Sequence, residues 1–156
     1  MRLIVTKTVP VPADFAWQKL GREFAQIADF FSQVDHSRPI TRSEMPVGYH
    51  EIPGAPVLGR YTESRVIKAT EVLTEYSDAD RCFAFDAVDV PVFLLSKSQN
   101  TTRVIAVDGG QCRVEIVVEM GLRHVFNILS PVLRKRMTRL FTKLINEVAA
   151  SHPDAP

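Results

Sequence analysis

The stretch from Phe126 to Ala149 constrains the fold more than any other, because its apolar residues recur at steps of three and four, as in a long amphipathic helix. The residues of this apolar stripe are Phe126, Leu129, Leu133, Met137, Leu140, Phe141, Leu144, Ile145 and Val148. Such a stripe must pack on another apolar surface. Most of the preceding chain alternates apolar and polar residues as strands do, so the sequence predicts a sheet with this helix laid across one face.

The chain before the helix divides into strands, turns and one irregular segment. Alternation predicts about seven strands, which lie within Leu3 to Val9, Val34 to Thr41, Arg60 to Thr62, Val66 to Tyr76, Arg81 to Val88, Phe93 to Val107 and Cys112 to Leu122. Residues Ala13 to Phe31 predict two short helices separated at Gly21. Met45 to Leu58 holds too many prolines and glycines for a regular element and predicts a loop or a strand pair with an irregular connection, where a lid would be sought. Short polar turns between the later strands predict an antiparallel meander.

The overall composition is that of an ordinary globular protein. The chain has 156 residues, of which 46% are hydrophobic and 24% charged, and a formal net charge of +1. These values predict one domain over residues 1–156, with the last few residues disordered, and no nucleic-acid partner. No apolar run is long enough to span a bilayer and the first residues do not resemble a secretion signal, so we expect a cytoplasmic protein. Cys82 and Cys112 are expected to be free thiols, and the four histidines are scattered, so the sequence predicts neither a metal site nor a cofactor.

Residue parity assigns each strand residue to the face under the helix or to the face toward water. Around Glu71, the residues Lys68, Thr70 and Thr74 are expected to face water. The residues expected under the helix are Ile67, Ala69, Glu71, Leu73, Phe83, Phe85, Ala87, Ser96, Ser98, Asn100, Thr102, Val104, Cys112, Val114, Ile116, Val118 and Met120.

This inner face is apolar except for Glu71 and the run of Ser96, Ser98 and Asn100. A buried carboxylate without partners costs several kcal/mol or takes up a proton, so a polar group must meet Glu71. A ligand, the neighbouring hydroxyls and amide, or water would each serve. Alternatively, the strand twists enough to place Glu71 at a wet rim, and the serine and asparagine run marks an exposed strand end.

Several local segments resemble the START-like superfamily, also called SRPBCC, which includes the birch-pollen-allergen and abscisic-acid-receptor folds and the polyketide cyclase/dehydrase group. Val9 to Trp17 resembles its entry from the first strand into helix, and Thr70 to Asp78 resembles its T/V-E-x-L-x-x-x-D segment. Arg81 to Phe85 lies where the family has an aromatic residue facing the cavity, and Pro91 to Phe93 resembles the loop before the next strand.

The resemblance covers essentially the whole chain and implies an α+β helix-grip fold. In that fold a curved antiparallel sheet of about seven strands wraps round the long C-terminal helix and encloses a cavity. In some members a glutamate at the position of Glu71 lines this cavity, and by the same match Phe85, Ala87, Ser96 and Ser98 would face it. The sequence matches neither the catalytic His/Asp pair of a particular cyclase nor the gate of the hormone receptors.

The leading hypothesis is non-catalytic binding or transport of a small hydrophobic molecule, lipid-like or polyketide-like. Glu71, Ser98 and Asn100 would orient its polar end. The apolar walls would come from Phe83, Phe85, Val118, Met137 and Leu140. For Met137 and Leu140, plain core packing is the simpler interpretation.

Two other functions stay open at this point. One is a polyketide cyclase or dehydratase in which Glu71 is the general base and Asn100 or a serine polarises a carbonyl. The other is docking to a membrane or a partner through the basic residues of the helix, against the simpler interpretation of a solvated face whose cations lie near a helix C-terminus. The basic residues are Arg134, Lys135, Arg136, Arg139 and Lys143. The sequence favours membrane contact less than ligand binding and does not indicate an oligomeric state.

Overall fold

The computed structural model describes residues 1–89, 95–122 and 130–154, with side chains described for all of these except residues 95–97 and 122. Phe126, Leu129 and the Pro91 to Phe93 loop therefore lie outside the described residues, as do the last two residues of the chain. The strands are β1 Arg2–Val9, β2 His36–Pro39, β3 Gly59–Glu63, β4 Lys68–Ser77, β5 Cys82–Ala87, β6 Leu95–Val107 and β7 Gln111–Leu122. The helices are α1 Ala13–Trp17, which continues as a π-helical turn Gln18–Arg22, the 3₁₀ segments Phe24–Asp29 and Arg42–Glu44, and α2 Ser130–Ala150.

The strands form one antiparallel sheet in the order β1-β7-β6-β5-β4-β3-β2. From β2 to β7 each strand pairs with the next one along the chain, and β1 closes the order by pairing with β7. The short helices follow β1 and the long helix follows β7, as the sequence predicts. The predicted α+β helix-grip class is therefore confirmed.

The buried side chains of neighbouring strands align in rows across the inner face, which is the face that packs against the helices. One row consists of Leu3, Val118, Asn100, Phe85 and Leu73. The next row consists of Val5, Ile116, Thr102, Phe83 and Tyr76. Most of these residues belong to the main hydrophobic core, together with Trp17 and Phe24 from the short helices.

A β-bulge in β4 changes which residues face inward. The pairing with β5 shifts between Leu73 and Glu75, so that Thr74 is the extra residue and Tyr76, rather than Glu75, lies opposite Phe83. Simple alternation therefore holds for β4 only up to Leu73. Beyond the bulge the even-numbered residues face the core.

The predicted exposure of Thr70 and Thr74 is wrong, because other parts of the chain cover the outer face. Thr70 is buried and its hydroxyl donates to the Asp89 carboxylate at 2.5 Å. The Thr74 hydroxyl oxygen is also buried. The segment from 40 to 58 crosses this face, where the Tyr49 hydroxyl donates to Asp86 at 3.0 Å. It joins β2 to β3, and its residues Ile52, Ala55 and Val57 pack against the main hydrophobic core.

Ile67 was also expected to face inward, and this prediction is wrong. The strand β4 begins one residue later, at Lys68, and Ile67 is 55% exposed. It closes the turn between β3 and β4, in which the Ser64 hydroxyl donates to the Ile67 carbonyl and accepts from the Ile67 amide.

Gly21 does not break the helical segment, although the sequence predicts a break there. The chain stays helical through Arg22, and the irregular residue is Glu23. A Cβ on Gly21 would lie 2.5 Å from ring atoms of Trp17, which is fully buried. Glycine is required at this position because the Trp17 indole packs directly on the backbone.

The long helix α2 packs tightly only over its second half. Leu144, Ile145 and Val148 are buried, whereas Leu133, Met137, Leu140 and Phe141 are only partly buried against the core. The second half is also fixed by polar contacts, since Lys7 donates to Asn146 and the Ser32 hydroxyl and amide donate to Glu147 at 2.7 and 2.8 Å. The first half of the helix therefore leaves part of its apolar face accessible beside the inner face of the sheet.

Candidate functional site

The inner face carries a line of polar side chains along β6. Ser98, Asn100 and Thr102 are 7%, 6% and 4% exposed, respectively. Their cross-strand neighbours are mostly apolar: Asn100 lies between Val118 and Phe85, and Thr102 lies between Ile116 and Phe83. We call Ser98, Asn100 and Thr102 the polar line. Ser96 precedes it in β6, but its side chain lies outside the described residues.

Asn100 is the member of the polar line with an unmet hydrogen-bonding need. Its side-chain oxygen Oδ1 is buried and accepts no hydrogen bond from any described residue. A buried polar atom without a partner costs about 1–3 kcal/mol. Native proteins meet this need with a water molecule or a ligand. The Oδ1 atom of Asn100 is therefore a buried hydrogen-bond acceptor on the inner face that is open to a donor from water or from a bound molecule.

Glu71 already has a partner, which the sequence analysis did not identify. The Nε of Arg60 donates to Oε2 of Glu71, and its Nη1 donates to the Phe24 carbonyl at 2.8 Å. The two side chains are 8% and 16% exposed, so this is a largely buried ion pair and not a pair at a wet rim. The Arg60 guanidinium also lies 4.0 Å from the centroid of the Phe24 ring. Arg60 stands directly opposite Glu71 in the pairing of β3 with β4.

Register explains why the Arg60 contact was missed. Arg60 and Glu71 fall within two consecutive predicted strands. An arginine and a carboxylate in neighbouring strands could have indicated an ion pair between them. The pairing itself depends on where the intervening turn closes. That turn spans Ser64 to Ile67, and its length is not readable from alternation alone.

The predicted apolar wall residues take two kinds of position. Phe83, Phe85 and Val118 are buried in the sheet, and the two phenylalanine rings stack with centroids 6.2 Å apart. Phe24 contacts both rings, at centroid distances of 5.3 and 5.5 Å. Ala87 is half-buried beside Glu71. Met137 and Leu140 are partly buried on α2 and pack against the same core.

An open cleft lies on the other side of the sheet. It has a volume of about 830 Å³ and lies between Ile52 and strands β4 to β6, with Glu75, Cys82 and Arg103 among its lining residues. These side chains belong to the outer face, so the cleft is separate from the polar line. The cleft is open to solvent and has the charged side chains of Glu75, Asp80 and Arg103 in its lining, unlike the enclosed, mainly apolar pockets that bind small molecules.

The described residues give little support for a thiol site, a metal site or a membrane-spanning helix. Cys82 and Cys112 are free thiols, and burial raises the pKa of Cys112. Within residues 1–89, 95–122 and 130–154, no group of three His, Cys, Asp or Glu side chains is placed to hold a metal ion. None of the described helices is both long enough and apolar enough to cross a bilayer.

A seven-stranded antiparallel sheet with short helices after β1 and a long C-terminal helix across its inner face defines the START-like, or SRPBCC, class of proteins. Residues 2–152 match the family model described as polyketide cyclase / dehydrase and lipid transport. The chain belongs to this family. No curated protein sequence matches it.

Solved structures with the same fold differ strongly in sequence. The Zhui aromatase/cyclase from Streptomyces sp. R1128 is 15% identical, with a TM-score of 0.71 over 96% of this chain and 92% of that one. Norcoclaurine synthase from Thalictrum flavum is 12% identical, with a TM-score of 0.70 over 97% and 95%. A START superfamily protein from Mycobacterium smegmatis is 7% identical, with a TM-score of 0.68 over 96% and 94%. At these identities the likeness establishes the fold alone.

Proposed function

We propose that the chain binds a small, mainly hydrophobic molecule, lipid-like or polyketide-like, between the inner face of the sheet and the first half of α2. The observation that carries this proposal is the buried oxygen of Asn100, which has no hydrogen-bond partner among the described residues. Because an amide oxygen accepts hydrogen bonds, the matching group on the ligand is a donor such as a hydroxyl.

The surroundings of Asn100 support an apolar body for the ligand. Phe85 and Val118 flank the amide on the sheet. Met137 and Leu140 on α2 keep part of their surface free of core packing. A mostly apolar wall with a few polar groups is the usual character of a small-molecule site.

The test is the recovery of a bound molecule and its dependence on Asn100. Native mass spectrometry of freshly purified protein, followed by solvent extraction, is expected to reveal a hydrophobic molecule with a hydroxyl group. In Asn100→Leu, affinity for that molecule is expected to fall about tenfold, the equivalent of one hydrogen bond. Gln99→Leu is the matched control, because Gln99 is the next residue and points to the other face.

Two outcomes would contradict the proposal. One is a protein free of any bound molecule that also fails to take up an apolar fluorescent probe. The other is equal affinity of wild type and Asn100→Leu for the recovered molecule.

A cyclase or dehydratase reaction is the second candidate, because the family description includes these enzymes. In this chain the contact with Arg60 counts against Glu71 as a free general base, since one carboxylate oxygen already accepts a charged hydrogen bond. The enzyme hypothesis predicts turnover of a polyketide-like carbonyl compound that Glu71→Gln abolishes. Turnover unaffected by Glu71→Gln would exclude Glu71 as the base, and binding without turnover would leave the carrier function.

A further inference from the structure

The first half of α2 carries exposed cations without nearby carboxylates. Arg134, Lys135, Arg136 and Arg139 are all exposed, and none forms an ion pair with any residue in the described part of the chain. Lys143, further along, has Glu147 at 3.6 Å. The net charge of the whole chain is only +1, so this local excess of positive charge is a property of one surface.

The helix dipole does not account for these cations, because it acts within the first and last turns of a helix and they lie between those turns. The helix begins at Ser130 and its first turn has no acidic residue, while its last turn has no basic residue. The partial positive charge of a helix N-terminus favours anions nearby and disfavours cations. The interpretation that these residues lie near a helix C-terminus is wrong, because the helix runs on to Ala150. The dipole therefore neither favours nor disfavours these cations.

Helical spacing brings most of these residues onto one face. Val132, Arg136, Arg139 and Lys143 follow steps of four, three and four residues, and Lys135 lies beside them. We call Lys135, Arg136, Arg139 and Lys143 the basic stripe. It lies opposite the buried residues of α2, and Val132 at its start is 55% exposed.

Exposed aliphatic side chains lie at the same end of the sheet as the start of α2. Val66 and Ile67, in the turn that follows β3, are 88% and 55% exposed. Because β3 and β7 run in the same direction, this turn is at the end of the sheet where β7 finishes and from which the chain leads to α2. The second half of α2 is fixed at the opposite end, near Lys7.

We propose that the basic stripe, together with Val132, Val66 and Ile67, docks on the surface of an anionic lipid bilayer. This inference goes beyond the proposed ligand binding and does not depend on it. Cations at the headgroup level and aliphatic side chains inserted just below it are the combination that binds a bilayer interface. An acidic protein would pair with the cations but would have no need of Val66 and Ile67, and therefore the bilayer is the partner that accounts for both features.

The test is cosedimentation of the full chain with phosphatidylcholine vesicles that contain or lack phosphatidylserine. Binding is expected only with phosphatidylserine and is expected to weaken at high salt. Each cation near an anionic surface contributes about a fivefold gain in affinity, so Lys135→Gln with Arg139→Gln is expected to weaken binding about twenty-five-fold. Arg103→Gln with Arg113→Gln is the matched control, because it removes the same charge from the outer face and is expected to change little.

A second variant separates the bilayer from an acidic partner. Val66→Ser with Ile67→Ser keeps the charge, and it is expected to weaken binding to phosphatidylserine vesicles. Circular dichroism of each variant checks folding, and all the substituted side chains are exposed. Absence of vesicle binding, an equal loss in the control, or binding to polyglutamate but not to vesicles would each overturn the proposal, the last in favour of an acidic protein.

Discussion

The ion pair between Arg60 and Glu71 changes which polar residue of the inner face is available to a ligand. Once the carboxylate is paired with a guanidinium that also stacks on Phe24, its position on the inner face has a structural reason independent of any ligand. On the inner face, the buried side-chain oxygen of Asn100 has no hydrogen-bond partner among the described residues. The sequence predicts that Glu71 and Asn100 act together at one site. In the structure Glu71 is paired with Arg60, whereas the Asn100 oxygen has no described partner.

Removal of Arg60 alone is expected to be strongly destabilising. Arg60→Met leaves Glu71 as an uncompensated, largely buried charge, which costs about 3–5 kcal/mol of the free energy of unfolding. The double variant Arg60→Met with Glu71→Leu is expected to recover most of that loss, because it replaces a buried pair by apolar groups. Urea unfolding of the four members of this double-mutant cycle measures both values. Additive effects would show that the two side chains do not interact.

Asn100 is expected to oppose stability in the ligand-free protein. Asn100→Leu removes an unsatisfied polar atom from an apolar face and is expected to raise the free energy of unfolding by about 1 kcal/mol. Urea unfolding of protein stripped of bound molecules measures this change. A lower stability in the variant would show that water already satisfies the amide in the free protein.

At the scale of elements, the two halves of α2 are unequally held. Ile145 is fully buried, whereas Met137 is only partly buried. Ile145→Ala is therefore expected to cost about 2–5 kcal/mol, and Met137→Ala about 1 kcal/mol. Thermal and urea unfolding of the two variants compare these costs. A similar cost for both would mean that the first half of the helix packs as tightly as the second.

The turn between β4 and β5 is fastened to the helical segment by Asp78. Arg22 and Trp17 both donate to this carboxylate, at 2.8 and 2.7 Å, and hold its pKa well below its usual range. Burial and the neighbouring Asp78 raise the pKa of Tyr76 to about 12.

This contact predicts a loss of stability in acid. A carboxylate whose pKa is lowered by folding stabilises the native state above its unfolded pKa of about 4, and that contribution is lost as the pH falls further. Asp78→Asn is expected to reduce stability near neutral pH and to flatten the decline below about pH 4. Unfolding midpoints across acidic pH measure this, with Asp108→Asn as a control in a different turn. An unchanged acid profile in Asp78→Asn would contradict it.

The sequence predicted the elements of the whole molecule better than the contacts between them. Alternation and helical repeats follow from local spacing, so the strands, the short helices and α2 could be placed. Three features could not: the bulge at Thr74, the approach of Trp17 to Gly21 and the pairing of Arg60 with Glu71. The bulge and the pairing of Arg60 with Glu71 depend on strand register, which a shift of a single residue changes. The approach of Trp17 to Gly21 depends on how the indole packs within one helical segment.

The pairing of β1 with β7 predicts where mutations act on folding rates. Leu3 lies opposite Val118, so these strands are separated by more than a hundred residues, whereas β4, β5 and β6 are joined by short connections. Long-range pairing is entropically costly and forms late. Val5→Ala in β1 is therefore expected mainly to speed unfolding, while Phe83→Leu in β5 is expected mainly to slow folding. Stopped-flow measurements separate the two rates, and a slowed folding rate in Val5→Ala would contradict this order.

The same pairing has a consequence for the chain as it is synthesised. When β1 has emerged, its partner strand β7 has not yet been made. The aromatic partners of Trp17 and Phe24 lie on β4 and β5 and are made earlier than β7. Leu3 and Val5 of β1 would therefore remain exposed to solvent or to chaperones until β7 has been translated. A translational pause at any point before β7 would prolong that exposure, whereas a pause after β7 would not.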